Sequence, residues 1–180
     1  MKFSTFFSII YVNIIIWFKK LFRLKVKPYK ALLNLTDLCN SRCNFCDIWK
    51  IKPENEINLE EITNFFQSFN KHLYWLSLSG GEITLVKYYK EMIDNLIAHC
   101  KNIKILAFTT NALAVNRAVE YALYAKNKGL DVLVTISLDG DEKVHDELRG
   151  VKGNYNKCFE LYYKLKKNNI SYSLVPKQAL

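Results

Sequence analysis

From residue 31 onward, apolar runs of strand length alternate with segments that repeat apolar residues at helical spacing. Strands are predicted at Ala31–Thr36, Leu73–Ser79, Ile103–Thr110, Asp131–Ser137 and Ile170–Val175. Helices are predicted between them at Asn58–Phe69, Tyr89–Cys100, Ala112–Lys128 and Tyr155–Lys167. Strands that alternate with helices of this length form right-handed βαβ units around a parallel sheet. The predicted fold class is therefore α/β, with its chemistry at the carboxyl ends of the strands.

Residues 1–27 differ from the rest and are predicted to form an apolar N-terminal helix with a basic end. The run from Phe3 to Phe18 carries no charge, and bases follow directly at Lys19, Lys20 and Arg23. As a helix this run spans roughly 24 Å, which is short for a bilayer core of ~30 Å. No small-residue cleavage site follows it, so export is not expected. Three interpretations stay open: an interfacial helix, a membrane-spanning anchor with a cytoplasmic basic flank, and a helix packed on the domain.

The net charge also differs between the N-terminal segment and the rest of the chain. The chain carries 26 Lys and Arg against 17 Asp and Glu, a formal charge of +9. Residues 1–30 hold seven of the bases and no acid, so 19 bases against 17 acids leave the remainder at +2. A nucleic-acid-binding domain needs a basic face on its folded body, and no nucleic-acid partner is expected here. The basic arm favours an anionic membrane surface, so we expect a cytoplasmic protein with residues 3–24 as its candidate attachment to the inner face of the membrane.

Three of the five cysteines lie within eight residues of the loop that follows the first predicted strand. Cys39, Cys43 and Cys46 have the spacing C-x3-C-x2-C. Disulfides explain this poorly, because three is an odd number and export is not expected. A zinc site ordinarily needs a fourth ligand, whereas three thiolates on a four-iron cluster leave one iron open to a substrate or cofactor. Iron–sulfur binding is the preferred interpretation, with a zinc site and uninvolved core cysteines as the alternatives.

Glycine and polar residues follow the next three predicted strands. These segments are Ser79-Gly80-Gly81-Glu82, then Thr109-Thr110-Asn111, then Ser137-Leu138-Asp139-Gly140 with Arg149 further along. Each segment also has an ordinary structural explanation. The first could be a simple turn, the second a helix N-cap, and the third a glycine-rich polar loop capped at Asn154. Their position at the strand ends nevertheless places all three at the edge of the sheet where the cysteines lie.

The cysteine segment, with Phe45 in the position C-x3-C-x-aromatic-C, resembles the cluster motif of the radical S-adenosylmethionine (radical SAM) superfamily. The later segments resemble the GGE and TTNG motifs of that family and the S-x-D-G…R-G stretch of its SPASM-type maturing enzymes, with Ala112 in place of the glycine of TTNG. The resemblance implies a [4Fe–4S] cluster on Cys39, Cys43 and Cys46, with SAM on the open iron. It implies further SAM contacts from Phe45, Gly80, Gly81, Glu82, Thr110, Asn111, Ser137, Asp139 and Arg149.

The resemblance also implies a fold, a reaction and an electron donor. The family fold is a partial (β/α)6 barrel, of which we expect about five strands in residues 28–180, with the sixth unit missing. One electron from the reduced cluster would cleave SAM to methionine and a 5′-deoxyadenosyl radical, which abstracts hydrogen from an unknown substrate. A flavodoxin- or ferredoxin-like protein would supply the electron. Two alternatives stay open: a truncated, non-catalytic subunit and a zinc-stabilised interaction domain.

Overall fold

Five parallel strands form the centre of the computed structural model, which describes residues 3–54 and 56–176. The strands are β1 Lys30–Asn34, β2 Trp75–Ser79, β3 Ile105–Thr110, β4 Asp131–Ser137 and β5 Ser171–Val175. They lie in one sheet in chain order, and every neighbouring pair is parallel. This arrangement confirms the predicted α/β class and the five parallel strands.

The helices lie before the sheet and between its strands. Their bounds are α1 Phe3–Leu21, α2 Leu59–Phe69, α3 Tyr89–His99, α4 Val115–Asn127, α5 Glu142–Arg149 and α6 Asn154–Lys167. A capping box forms at the start of α2. The Asn58 side chain accepts a hydrogen bond from the Glu61 N–H at 3.0 Å, and the Glu61 carboxylate accepts one from the Asn58 N–H at 2.9 Å.

The core lies between the helices and one face of the sheet. Leu78, Phe108 and Val134 occupy neighbouring register positions on β2, β3 and β4, and all three are buried. Fully burying side chains of this size contributes about 1.5–3 kcal/mol each. The other face carries small hydroxyl residues, such as Thr135 on β4, whose hydroxyl is 3.1 Å from that of Ser173 on β5. The sheet therefore has an apolar face covered by helices and a polar face that leads to the site.

α1 contacts the rest of the protein through one narrow stripe. Thr5 and Val12 are buried on this stripe. Their side of the helix borders a shallow cavity together with Tyr29, His72 and Tyr74, near the amino ends of β1 and β2. Within the described ranges, no helix has both the length and the hydropathy needed to cross a membrane.

The prediction that the N-terminal helix extends to about residue 27 is wrong. α1 ends at Leu21 because Arg23 adopts a left-handed conformation with φ of 53°. The Arg23 N–H donates to the Lys20 carbonyl at 3.1 Å, and the Leu24 N–H donates to the Lys19 carbonyl at 2.8 Å. These two bonds form a Schellman motif, which turns the chain out of the helix well before Pro28.

α5 occupies the segment after β4 for which a glycine-rich polar loop was the alternative explanation, and no helix was predicted there. Asp141 caps its first turn, where Oδ1 accepts a backbone N–H at 3.0 Å. Gly150 ends the helix in the left-handed conformation with φ of 62°. The buried residues of α5 are His145 and Arg149, both polar. The apolar spacing that marks the other helices is consequently absent from this one.

Candidate functional site

A cavity of about 360 Å³ opens at the carboxyl ends of the strands. Ten of the twelve predicted site residues line it, namely Cys39, Cys43, Cys46, Gly80, Gly81, Glu82, Thr110, Asn111, Ser137 and Arg149. Phe45 and Asp139 do not line the cavity, and each contacts Arg149 instead. The lining also includes residues that the motifs did not indicate, among them Ser41, Ile48, Trp49 and Thr135.

The cysteine loop is held in place by the end of α5. The Arg149 carbonyl accepts hydrogen bonds from the Arg42 N–H at 3.0 Å and from the Ser41 hydroxyl at 3.1 Å. A Cβ atom at Gly150 would lie 2.4 Å from the Arg42 carbonyl oxygen, so the backbones approach too closely for any other residue. The position of the cysteines therefore depends on a helix that sequence reasoning missed.

The five cysteines fall into two groups. Cys39, Cys43 and Cys46 share the cavity, and partial burial raises the pKa of the Cys39 thiol. Burial raises the pKa of Cys100 to about 11 and that of Cys158 to about 12, and both thiols lie in the core. The second pair consists of core thiols, as the apolar faces of their helices predict.

The three thiols at the cavity form the donor set of a cubane cluster that leaves one iron open. No group of three or more His, Cys, Asp or Glu residues within the described chain is placed to hold one metal ion. A single zinc ion draws its thiolates to ~2.3 Å, whereas a cubane meets each cysteine at a different iron, so its cysteine sulfurs lie farther apart. The cysteine donor set is therefore compatible with the [4Fe–4S] cluster.

The double glycine after β2 packs against the start of the cysteine loop. A Cβ atom at Gly80 would lie 2.4 Å from the Thr36 carbonyl oxygen, and one at Gly81 would lie 2.2 Å from the Leu38 carbonyl oxygen. The Gly81 N–H donates to Thr36 at 2.6 Å, and the Glu82 N–H donates to Leu38 at 2.8 Å. Only glycine permits this approach, which brings the turn beside the first cysteine.

The Glu82 carboxylate joins the ends of β2 and β3. Its Oε1 accepts hydrogen bonds from the Thr84 N–H at 3.1 Å, the Thr84 hydroxyl at 2.8 Å and the Thr110 hydroxyl at 2.7 Å. Its Oε2 accepts one from the Asn111 N–H at 2.8 Å, and the residue is 1% exposed. The two bonds to Thr110 and Asn111 hold the ends of β2 and β3 together, and the two to Thr84 orient the carboxylate.

The turn after β3 forms although it lacks the glycine of the family motif. Ala112 adopts φ of 64°, a left-handed conformation that costs a non-glycine residue about 1–2 kcal/mol. The Asn111 side-chain Nδ2 donates to the side-chain Oδ1 of Asn40 at 2.8 Å and lies 3.9 Å from the Cys39 sulfur. α4 begins only at Val115, so neither Thr110 nor Asn111 is the N-cap considered from the sequence.

Arg149 is the most buried positive charge at the cavity. Its Nε donates to Asp139 Oδ2 at 2.6 Å, and the two side chains are 4% and 5% exposed. Nη1 lies 3.8 Å from the Cys43 sulfur, and the Phe45 ring stacks 5.5 Å from the guanidinium carbon. Within the described residues, Nη2 is buried without a hydrogen-bond partner. A buried donor of this kind fits an anionic ligand group, such as a carboxylate.

A buried histidine, His145, is linked by hydrogen bonds to residues at the cavity. His145 Nδ1 accepts the Asp139 N–H at 3.0 Å, so the tautomer with Nε2–H donating to Asn154 Oδ1 at 3.2 Å satisfies both ring nitrogens. Burial lowers the pKa of His145, which keeps the ring neutral. The Asn154 amide then donates to the Asn111 carbonyl at 2.8 Å. Asn154 is the first residue of α6 and Gly153 is its N-cap, so Asn154 is not the cap that the alternative explanation assumed.

Comparison with protein-family models matches residues 33–176 to the radical SAM superfamily. The chain belongs to this superfamily. It is 31% identical over 145 residues to the sporulation killing factor maturation protein SkfB of Bacillus subtilis (strain 168), which covers 79% of this chain and 34% of SkfB. It is also 31% identical over 155 residues to the GTP 3',8-cyclase of Pasteurella multocida (strain Pm70), over 79% of this chain and 44% of the cyclase. This radical SAM chain thus spans less than half the length of either relative.

Solved structures share the fold of this radical SAM chain. Native anSMEcpe with bound AdoMet matches it with a TM-score of 0.66 at 19% identity, over 83% of this chain and 44% of that one. Streptococcus suis SuiB bound to the precursor peptide SuiA matches with a TM-score of 0.57 at 22% identity, over 89% of this chain and 42% of that one. The five strands therefore form part of a radical SAM barrel, as the sequence predicts. The family implies a [4Fe–4S] cluster and SAM as cofactors.

Proposed function

We propose that this chain is the cluster- and SAM-binding core of a radical SAM enzyme. Cys39, Cys43 and Cys46 would hold the [4Fe–4S] cluster and leave one iron open to SAM. When both are bound, the cluster supplies an electron that cleaves SAM to methionine and a 5′-deoxyadenosyl radical, which takes hydrogen from a substrate. The observation that carries this proposal is the meeting of three thiols, a double-glycine turn and a buried arginine donor at one cavity.

The chain's own groups have separate roles in this proposal. The backbone of Gly80 and Gly81 would pass close to the methionine part of SAM, while the buried Glu82 carboxylate keeps that turn attached to β3. Arg149 Nη2 would donate to the SAM carboxylate, because it is buried at the cavity and has no protein partner among the described residues. Ser137, which is buried at the end of β4, would supply a further polar contact.

The far edge of β5 favours a second candidate within the same family. β5 is the last strand of the described sheet, and its Leu174 and Val175 are 39% and 43% exposed. An open parallel edge is a liability, which further strands normally cover. Those strands could belong to a longer chain or to a second protein. In the latter case this chain would be a truncated subunit that is non-catalytic by itself and contributes its fold to a complex with that second protein.

The reaction needs an electron donor and a reducing compartment. We propose a flavodoxin- or ferredoxin-like protein as the donor and the cytoplasm as the location. A reducing compartment would keep Cys39, Cys43 and Cys46 available as thiolates for the cluster. More than half of the length of the relatives lies outside their match to this chain, and we expect the residues that select the substrate to lie in such a part.

Reconstitution with iron and sulfide tests the cluster assignment. The full chain would be treated anaerobically, desalted, and assayed for iron, sulfide and zinc. We expect about four irons and four sulfides per chain for the wild type. Cys43→Ala should retain almost none, and Cys100→Ala, which removes a core thiol, should match the wild type. Equal iron in the two variants, or one tightly held zinc in place of iron, would refute the assignment.

A further inference from the structure

The outer face of α1 is unusual for a helix on the surface of a protein. Its side chains are large, apolar and 39–62% exposed, and they are Phe6, Phe7, Ile10, Tyr11, Ile14, Trp17, Phe18 and Leu21. A helix packed on a soluble domain normally turns its apolar stripe inward and its charged residues outward. Here the inward stripe is narrow, with Thr5 and Val12 as its buried residues, and the outward face carries most of the apolar surface.

The exposed apolar surface is large enough to mark an interaction site. Eight half-exposed side chains of this size leave about 700 Å² in contact with water. A typical monomer rarely exposes a contiguous apolar patch larger than a few hundred Å². The surface continues past the helix, because Phe22 and Leu24 are 63% and 58% exposed. Among the described residues, the large exposed apolar side chains are concentrated in this segment.

The charge of the same segment identifies the partner. Lys19, Lys20, Arg23, Lys25 and Lys27 lie at the end of the apolar face, and the first acidic residue in the chain is Asp37. None of these bases forms a salt bridge with a described acidic residue, and all except the half-buried Lys19 are exposed. Apolar and aromatic side chains followed by a cluster of bases are complementary to the acyl and headgroup layers of an anionic membrane.

We propose that the outer face of α1 and the basic segment up to Lys27 form a docking surface for an anionic membrane leaflet. α1 would lie in the plane of the interface, because its opposite side rests on the domain near Tyr29 and Tyr74. These contacts are at the amino ends of β1 and β2, whereas the cysteines lie at the carboxyl ends. Docking would thus leave the cavity facing away from the lipid. The proposal does not depend on the proposed reaction.

Vesicle sedimentation tests the docking surface with the full chain. The protein would be mixed with vesicles of phosphatidylcholine alone or with about one-third phosphatidylglycerol. We expect it to sediment with the anionic vesicles and to be released as salt is raised, because salt screens the lysines and arginine. Absence of binding to both vesicles, or equal binding to both, would overturn the proposal. Elution as a dimer that α1 variants convert to monomers would also overturn it, in favour of a second copy of the chain.

Matched variants separate the docking surface from the rest of the protein. Trp17 and Tyr163 are 62% and 63% exposed, but Tyr163 lies on α6. Trp17→Ser should weaken vesicle binding about tenfold through lost apolar contact, and Tyr163→Ser should leave it unchanged. Equal effects of the two substitutions would contradict the assignment. Circular dichroism of each variant would show that its fold is intact.

The basic segment has a matched control as well. The triple change Lys20→Gln, Arg23→Gln and Lys25→Gln should weaken binding to anionic vesicles about 100-fold, since each base near the surface contributes about fivefold. The same change at three exposed lysines elsewhere should have little effect, and suitable positions are Lys101, Lys152 and Lys167. If the two triple variants bind alike, net charge and not this surface accounts for the binding. Failure of cluster assembly would leave these results unaffected, so the two proposals can fail separately.

Discussion

We expect Asp139→Asn to lower the free energy of unfolding by about 3 kcal/mol. The carboxylate of Asp139 and the guanidinium of Arg149 are 2.6 Å apart, and their side chains are only 5% and 4% exposed. Removing one member of a buried pair leaves an uncompensated charge, which costs about 3–5 kcal/mol. The lower end applies because the asparagine oxygen can still accept a hydrogen bond from Nε. Arg149 Nη2 already has no hydrogen-bond partner in the described structure, so this nitrogen offers no contact that would offset the loss of the carboxylate.

Urea denaturation of the metal-free chain, followed by circular dichroism, measures this loss. Asp94→Asn is the matched control, because Asp94 forms an ion pair of the same length with Lys128 at the surface. Solvent screens that pair, so its loss should be far smaller. The double change Asp139→Leu with Arg149→Met should recover part of the stability, because it removes both buried charges. Equal losses for Asp139→Asn and Asp94→Asn would refute the reasoning.

Gly81→Ala should block cluster assembly, because its Cβ would lie 2.2 Å from the Leu38 carbonyl oxygen. Gly129→Ala is the control: its φ of 95° strains an alanine, but its Cβ would meet nothing within 4 Å and it does not line the cavity, so the variant should retain normal iron content. Glu82→Gln should lower the free energy of unfolding by about 2–4 kcal/mol in urea denaturation, because the NH2 group of the glutamine must face a buried hydrogen-bond donor. An unchanged urea midpoint would contradict this prediction. Burial lowers the pKa of His145 below its ordinary 6.5, so this residue's contribution to stability should be present above pH 6.5 and be lost as the pH falls through its folded-state pKa. His145→Gln should remove that loss when unfolding is compared at about pH 7.5 and pH 5.5.

The strands and the cysteine site could be predicted because local sequence determines them. β4 was predicted with the bounds that the structure shows, since Asp131–Ser137 is an apolar run ended by a polar strand terminus. The other four strands, and helices α2, α3, α4 and α6, begin and end within three residues of their predicted positions. The spacing of the cysteines and the double glycine indicated the cavity, because parallel strands bring their carboxyl ends to one edge.

α5 and the network beneath the cavity could not be found in the same way. Hydrophobic periodicity detects helices that bury apolar side chains, whereas α5 buries His145 and Arg149. The available signals were the cap at Asp141 and the terminating Gly150. The predicted contacts of Asp139 with SAM also assumed a side chain facing the cavity. In the structure its carboxylate pairs with Arg149, a residue ten positions away that only the folding of α5 brings near.

Electron paramagnetic resonance of the reconstituted and reduced full chain shows whether this cavity holds both a [4Fe–4S] cluster and SAM. Spectra would be recorded with and without SAM, under anaerobic conditions. We expect the signal of a reduced [4Fe–4S] cluster that changes when SAM is added, because the open iron would take the cofactor beside Cys39, Cys43 and Cys46. A cluster signal that SAM leaves unchanged would contradict the claim that this cavity binds the cofactor. Absence of any cluster, with zinc held in its place, would contradict the assignment of the three cysteines.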